Sequence, residues 1–254
     1  MAQLLGGKDN VRFANEIDVS KIKYSEMKAF GDHAKIMYLL NEDNHPLYIQ
    51  TPKMRCPYGL GRFDDGERTK YTLDLSFGTK NTKHINQLKE LLENIDNKIL
   101  DDSVSNSQAW FKKKKQSRDV SQALFSHSVK VATEDGEPTD KYPPTFKLKI
   151  SKNKDESFRV GCYDSEPPHS KLESDLPYLL QKGKMVQAIV KLSGVWFAGG
   201  KFGVIWELFQ ICVSPNTQIS EYSFKDESDD EPETSESNTV EDPNEFVPDS
   251  EDDL

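Results

Sequence analysis

Cysteine is scarce: the 254 residues hold three, Cys56, Cys162 and Cys212, with no close pair. A disulfide framework and a thiolate metal site are thereby excluded, because both need paired sulfurs at short spacing. Two of the three lie in apolar, strand-like surroundings and read as reduced core thiols. The five histidines, His33, His45, His84, His127 and His169, are scattered, with no histidine or cysteine pair at ligand spacing. Metal catalysis has no support, and neither a metal nor a cofactor is expected. Long apolar runs are missing too: nothing approaches the roughly 18 residues a membrane helix needs. The N-terminal MAQLLGGKDN lacks the basic region and hydrophobic stretch of a signal peptide, so an intracellular protein without a membrane partner is expected. Nucleotide motifs also fail. Gly194 to Lys201 approaches a phosphate loop, but Gly200 intervenes before the lysine and Phe202 stands where a metal-binding hydroxyl is required. Gly59, Gly61 and Gly66 miss dinucleotide spacing. Asp64–Asp65 and Asp101–Asp102 could hold Mg²⁺, but acid pairs are equally at home in turns and caps. A protein that is not an enzyme is expected.

What is present is an uneven distribution of charge. Residues 221–254 hold 15 of the 43 carboxylates and only Lys225 against them, leaving 28 acids and 32 bases in residues 1–220. The net charge of −10 thus divides into about +4 for the body and −14 for the tail. The tail is rich in Ser, Glu, Asp and Pro and too poor in apolar residues to offset chain entropy, so disorder is expected over 221–254. Such a tail serves solubility, or occupies a cationic groove until a polyanion displaces it. Ser223, Ser228, Ser235 and Ser237 sit in acidic contexts that suit acidophilic kinases, which would add charge to the same switch.

The body reads as strand-rich. Residues 1–34 mix charge and apolar residues without period and are taken as an irregular arm with room for one strand. Ile36–Leu40 and Leu47–Thr51, separated by the polar, Pro-ended Asn41–Pro46, read as a hairpin. Tyr71 to Phe77 is apolar at every odd position, the mark of a half-buried strand. Thr82 caps a helix to Leu100 in which Ile85, Leu88, Leu91, Leu92, Ile95 and Ile99 form one stripe. A strand is expected over Leu124–Val131, a loop over Glu134–Pro144, alternating strands at Thr145–Ile150 and Phe158–Asp164, and a short helix at Leu176–Gln181. Two long apolar and aromatic runs, Lys184–Phe197 and Phe202–Val213, flank Gly199–Gly200 and make a hairpin of barrel length. Gly194 and Gly203 would supply its bends. The expected fold is α+β and β-rich: an OB-like antiparallel β-barrel over 35–220, with a helical insertion at about 81–118.

Three places combine rings with bases, the pairing that single-stranded nucleic acid uses for stacking and phosphate contact, and a fourth gathers bases alone. At the hairpin turn, Trp196, Phe197, Phe202 and Trp206 crowd beside Lys191 and Lys201. These rings are either core or platform; alternation keeps Trp196 and Phe197 from sharing a face, so at least one should be open. The segment Lys53, Arg55, Tyr58, Arg62, Phe63 and Lys70 interleaves bases and rings on a glycine-loosened loop, or is an ordinary turn. Lys112, Lys113, Lys114 and Lys115, with Arg118, stand next to Trp110 and suit a backbone clamp or a solvated face. Lys147 and Lys149 share one strand face, with Lys152, Lys154 and Arg159 nearby.

The run from Gly183–Ala188 through Gly194–Phe197 to Lys201–Trp206 resembles the terminal barrel hairpin of the single-stranded-DNA-binding proteins of nucleocytoplasmic large DNA viruses; the likeness over 35–77 is looser. The acidic tail is similar to those of phage and bacterial single-strand binders, although it ends in Leu254 where bacterial tails end in an aromatic. The resemblance implies an OB-type barrel, base stacking on rings, no cofactor, and a setting in viral DNA replication, recombination or repair. It further implies single-stranded DNA, or RNA, as ligand, and replication or repair proteins as partners of the tail. The place of action would be a cytoplasmic viral factory or the nucleus of the host, with packaging in the virion an open alternative. A rival reading is a chaperone-like virion protein whose tail binds basic proteins and whose aromatic residues are all core.

Overall fold

A computed structural model describes residues 10–214 apart from 32, 65, 67, 68, 81 and 174. The chain divides into two units, Met1–Asn216 and Thr217–Leu254. The second, with the expected disordered tail and its serines, lies outside the described residues, as does Asp65. In chain order the strands are β1 (Val11–Phe13), β2 (Lys23–Tyr24), β3 (Lys28–Phe30), β4 (Ala34–Leu40), β5 (Leu47–Gln50), β6 (Met54–Arg55), β7 (Leu60–Asp64) and β8 (Thr69–Ser76). After helices α1 (Lys83–Ser105), α2 (Ser107–Phe111) and α3 (Arg118–Leu124) come β9 (Phe125–Ser126), β10 (Val129–Lys130), β11 (Thr133–Glu134) and β12 (Glu137–Pro138). Then follow β13 (Thr145–Ile150), β14 (Gly161–Asp164), helix α4 (Leu176–Leu179), β15 (Met185–Ala198) and β16 (Lys201–Val213).

The sheet closes on itself. β15 pairs with β16, β16 with β13, β13 with β8, β8 with β6, and β6 returns to β15. This is the β-rich, OB-like architecture expected from the alternating runs, with α1, α2 and α3 inserted between β8 and β9. Closure removes the exposed edges that an open sheet would present. Four contacts depart from the expected antiparallel barrel: β13, β14 and β9 meet β16 in parallel, Lys149 of β13 opposite Glu207, and β1 meets β5 in parallel. Inward positions are apolar, with Leu73, Leu75, Phe146, Leu148, Val190, Leu192 and Leu208 buried, while Lys147 and Lys149 alternate outward.

The expected hairpin of residues 36–51 is not one. β4 and β5 both pair with β15, the first along residues 194–198 and the second along 189–192, and β6 continues at 185–186. Residues 34–55 therefore run as one interrupted strand beside β15. Its interruptions are satisfied locally. Asn41 N–H donates to His45 O, and the buried Thr51 donates its N–H to Ala188 O while its Oγ1 accepts from Ala188 N–H at 3.0 Å. Long strands paired to two short ones are indistinguishable by period from a hairpin, since both alternate.

Gly194, expected with Gly203 to bend the hairpin, borders a register shift, and both glycines also allow close approach. A Cβ on Gly194 would lie 2.3 Å from Met37 O of β4, and one on Gly203 would lie 2.8 Å from Ser126 Cβ of β9. The bending comes from two irregularities in the β15–β16 register, at Ile189/Val190 and Leu192/Gly194. The expected helix is α1, extended to Ser105, its start capped by Thr82 Oγ1 accepting from Ile85 N–H. Such a cap contributes about 1 kcal/mol. Leu88, Leu91, Leu92, Ile95 and Ile99 are buried in the core. Three finer expectations are corrected. The N-terminal arm contains β1, β2 and β3, the single strand expected at 124–131 is split into β9 and β10, and the 134–144 loop begins inside the β11–β12 hairpin.

Candidate nucleic-acid interface

Residues directly opposite in a ladder project from the same face of a sheet. Register therefore draws one row across the outside of the ring. Thr72 of β8 stands opposite Lys149 of β13, Lys149 opposite Glu207 of β16, Glu207 opposite Lys191 of β15, and Lys191 opposite Tyr48 of β5. Two residues along, Lys147 faces Asp74, their charged atoms 3.7 Å apart. On the β7–β8 hairpin, Phe63 pairs with Lys70, whose ammonium lies 6.0 Å from the ring centroid. Lys70 is two residues before Thr72, so this ring and this cation share the face of the row. Phe63 is 63% exposed.

Two more rings join the face through tertiary structure. Ile189 pairs with Gln210 and Val190 with Leu208, which leaves Phe209 as the extra residue of a β-bulge. A bulge re-aims side chains, and Phe209 turns outward onto Tyr48, centroids 4.7 Å apart. Phe30, at the end of β3, is 47% exposed and lies 5.8 Å beneath the Lys149 ammonium. Tyr48, Arg159, Lys191, Glu207, Phe209 and Ser151 line a cleft of about 300 Å³ on this face.

Glu207 is the acid at its centre. Burial raises its pKa, but the hydroxyls of Ser193 and Ser151 and the charges of Lys149 and Lys191 more than offset this, holding the carboxyl below its ordinary value. Ser193 Oγ donates to Oε2 at 2.7 Å and Ser151 Oγ to Oε1 at 3.0 Å. Asp74 goes the other way. Burial raises its pKa, and Lys147 recovers only part of the shift.

The turn of the β15–β16 hairpin, expected to be a stacking platform, is largely core. Phe202 is 0% and Trp206 2% exposed, and Phe197 is buried as well. Phe197 and Phe202 stack at 5.9 Å, and Phe111 and Phe125 pack edge-on against Phe202 at 5.1 and 5.0 Å. Trp206 Nε1 donates to Ser128 Oγ, and Ser128 in turn donates through its Oγ and N–H to the buried Asp96 of α1, all at 2.7–2.9 Å. An indole whose N–H is satisfied inside the core offers no face to a base. Phe197, Phe202 and Trp206 are therefore withdrawn as stacking residues; Trp196 is half-buried and Lys201 is exposed in the turn.

The remaining expected residues are dispersed. Arg62 pairs with Tyr71, one position from the Phe63–Lys70 pair, and so lies on the opposite face. Tyr58 is 65% exposed, and Lys53 and Arg55 are exposed on the segment joining β5 to β7. Lys112, Lys113, Lys114 and Lys115 are exposed after α2, while their neighbour Trp110 is buried against Tyr24 and Phe197. Arg118 pairs with Asp101 and donates to Asn97, and Asp102 holds Tyr24 and Lys98. Both aspartates thus have structural partners. Of the cysteines read as core thiols, Cys56 and Cys162 are buried and Cys212 is half-buried, and burial with nearby Asp74 pushes Cys56 up to about 12. Sequence reasoning missed Phe30, Tyr48, Phe209 and Glu207. Alternation marks Tyr48 as outward between Leu47 and Ile49, but nothing local shows what it stands beside.

No family model matches the chain. An uncharacterized protein, L291, of Acanthamoeba polyphaga mimivirus is 25% identical over 181 residues, covering 69% of this chain and 27% of that protein. The chain thus spans about a quarter of the length of this relative. Solved structures of the single-stranded DNA-binding protein from bacteriophage Enc34 are similar at lower identity. Its full form is 13% identical at a TM-score of 0.40, covering 82% of this chain and 98% of that one. Its complex with single-stranded DNA is 15% identical at 0.38, covering 70% and 90%.

Proposed function

We propose that the outer face of the ring binds single-stranded DNA without strong sequence preference and without catalysis. The observation that carries this is the row of register-linked cations, Lys70, Lys147, Lys149 and Lys191, interleaved with the rings Phe63, Phe30, Tyr48 and Phe209. Bases stack on such rings for about 1–3 kcal/mol each, whatever their identity, and ammonium groups neutralise phosphates. Arg159 at the cleft belongs to the same set. Lys53, Arg55, Tyr58 and the lysines at 112–115 would extend the path of a longer strand.

The proposed setting is viral DNA replication, recombination or repair; the likeness to a mimivirus protein supports its viral part alone. The tail of net charge −14 competes for the face and, once displaced, recruits replication proteins. Binding titrations of oligo(dT), oligo(U) and duplex across a salt series test this. Affinity for oligo(dT) should fall linearly on a log–log plot as counterions are no longer released to advantage. Removal of 221–254 should tighten binding most at low salt. Affinity independent of salt, or a preference for duplex, overturns the proposal; equal binding by the truncated form overturns the competition.

A further inference from the structure

A carboxylate is out of place on a surface built for phosphates. Glu207 repels the backbone of any strand bound there, and an outward position opposite two lysines could have carried a neutral side chain. Instead the carboxylate is built in. Each oxygen accepts one serine hydroxyl, Oε1 from Ser151 and Oε2 from Ser193, so rotation is fixed and each oxygen keeps a lone pair for a further donor. The group lines the cleft together with the Tyr48–Phe209 ring pair and with Lys191 and Arg159. A nucleotide meets the same three chemistries: a ring to stack on, cations for its phosphate, and an acceptor for its base edge.

From this we propose that Glu207 accepts hydrogen bonds from the Watson–Crick edge of a base seated in the cleft. It would give the interface a local preference for guanine, whose N1–H and N2 amino group are two adjacent donors. Thymine and uracil place carbonyl oxygens on either side of a single N–H, and both oxygens face the carboxylate unfavourably. Cytosine and adenine offer one amino group each. The inference rests on the face being the DNA-binding surface, and it adds a specificity residue to a binder that is otherwise sequence-tolerant. A role confined to neutralising Lys149 and Lys191 would need the charge but not its position.

Fluorescence anisotropy in lithium buffer, which suppresses guanine quadruplexes, separates these. The probes are labelled d(GT) and d(IT) repeats of equal length, inosine being guanine without its amino group, and oligo(dT). The intact chain should bind the d(GT) repeat about tenfold more tightly than the d(IT) repeat. Glu207→Gln should bring that ratio near one while tightening oligo(dT), because a repulsive charge is gone. Glu207→Asp keeps the charge but retracts it by one methylene, and should also lose the guanine preference. A ratio near one in the unmodified chain, or an unchanged ratio in both variants, overturns the assignment. The double variant Lys149→Glu, Lys191→Glu should weaken all three ligands. If it weakens none while thermal melts show it folded, the interface itself is refuted; if it weakens all but the ratio was never above one, only the role of Glu207 falls.

Discussion

Two regions of this protein have nearly the same composition and opposite fates. The hairpin end, residues 195–206, and the outer face around Lys149 each combine large rings with lysines. At the hairpin end, α2 and β9 supply Trp110, Phe111 and Phe125 as a lid, and the rings Phe197, Phe202 and Trp206 become core. On the outer face, among the described residues, Phe63 and Phe209 stay exposed and Tyr48 half-buried, and Lys70 and Lys191 stand opposite Phe63 and Tyr48. Ring-plus-lysine content therefore says nothing about binding until it is known which side of the sheet another element covers.

The contrast can be broken most severely at Trp206. Trp206→Ala empties a core site and removes the donor to Ser128 Oγ, and should cost about 3–5 kcal/mol in urea unfolding. A loss within the surface range of about 0.5 kcal/mol would mean the indole is not held as described. Gly194→Ala is next. Its methyl must displace the Met37 carbonyl, so about 1–3 kcal/mol of stability should be lost as β4 parts from β15. Phe63→Ala sharpens the other side. Stability should barely move in thermal melts, while oligo(dT) binding weakens by about 1–3 kcal/mol. Replacing both Lys149 and Lys191 by alanine should lower the slope of log affinity against log salt by about 1.4, since each single-strand phosphate contact carries about 0.7.

The smallest effect concerns acid. The Glu207 carboxyl is held below its ordinary 4.5, so it is ionised more readily folded than unfolded. Its contribution is present above the unfolded value and is lost as pH falls through the folded one. Glu207→Gln should lower stability slightly near neutrality, where that contribution is fully present, and flatten its fall below about pH 4.5, as read from melting temperature against pH.

Much of the fold was legible. Alternation at Tyr71–Phe77 and Thr145–Ile150, the stripe of α1 with its Thr82 cap, and the long runs about Gly199–Gly200 are local signals, and the structure builds β8, β13, α1 and the β15–β16 hairpin from them. Lys147 and Lys149 were read correctly as sharing a face for the same reason. The candidate site was less legible. Phe209 faces outward because a register shift inserts an extra residue in β16, and a strict two-residue period hides such a shift. Phe30 reaches Lys149 from a β3 strand that the apparently patternless N-terminal segment concealed.

The order of apolar and polar residues settled which segments become strands or helices and which side of each strand is wet, because side-chain direction follows backbone period alone. The separation of a cationic body from an acidic tail was likewise fixed by composition. Tertiary structure decided which strands lie side by side, which rings are covered, and that Glu207 sits between two lysines and two serines. Those facts depend on hydrogen-bond register and on contacts between residues as far apart in sequence as Tyr48 and Phe209. Energies of that kind exist only once the ring has closed.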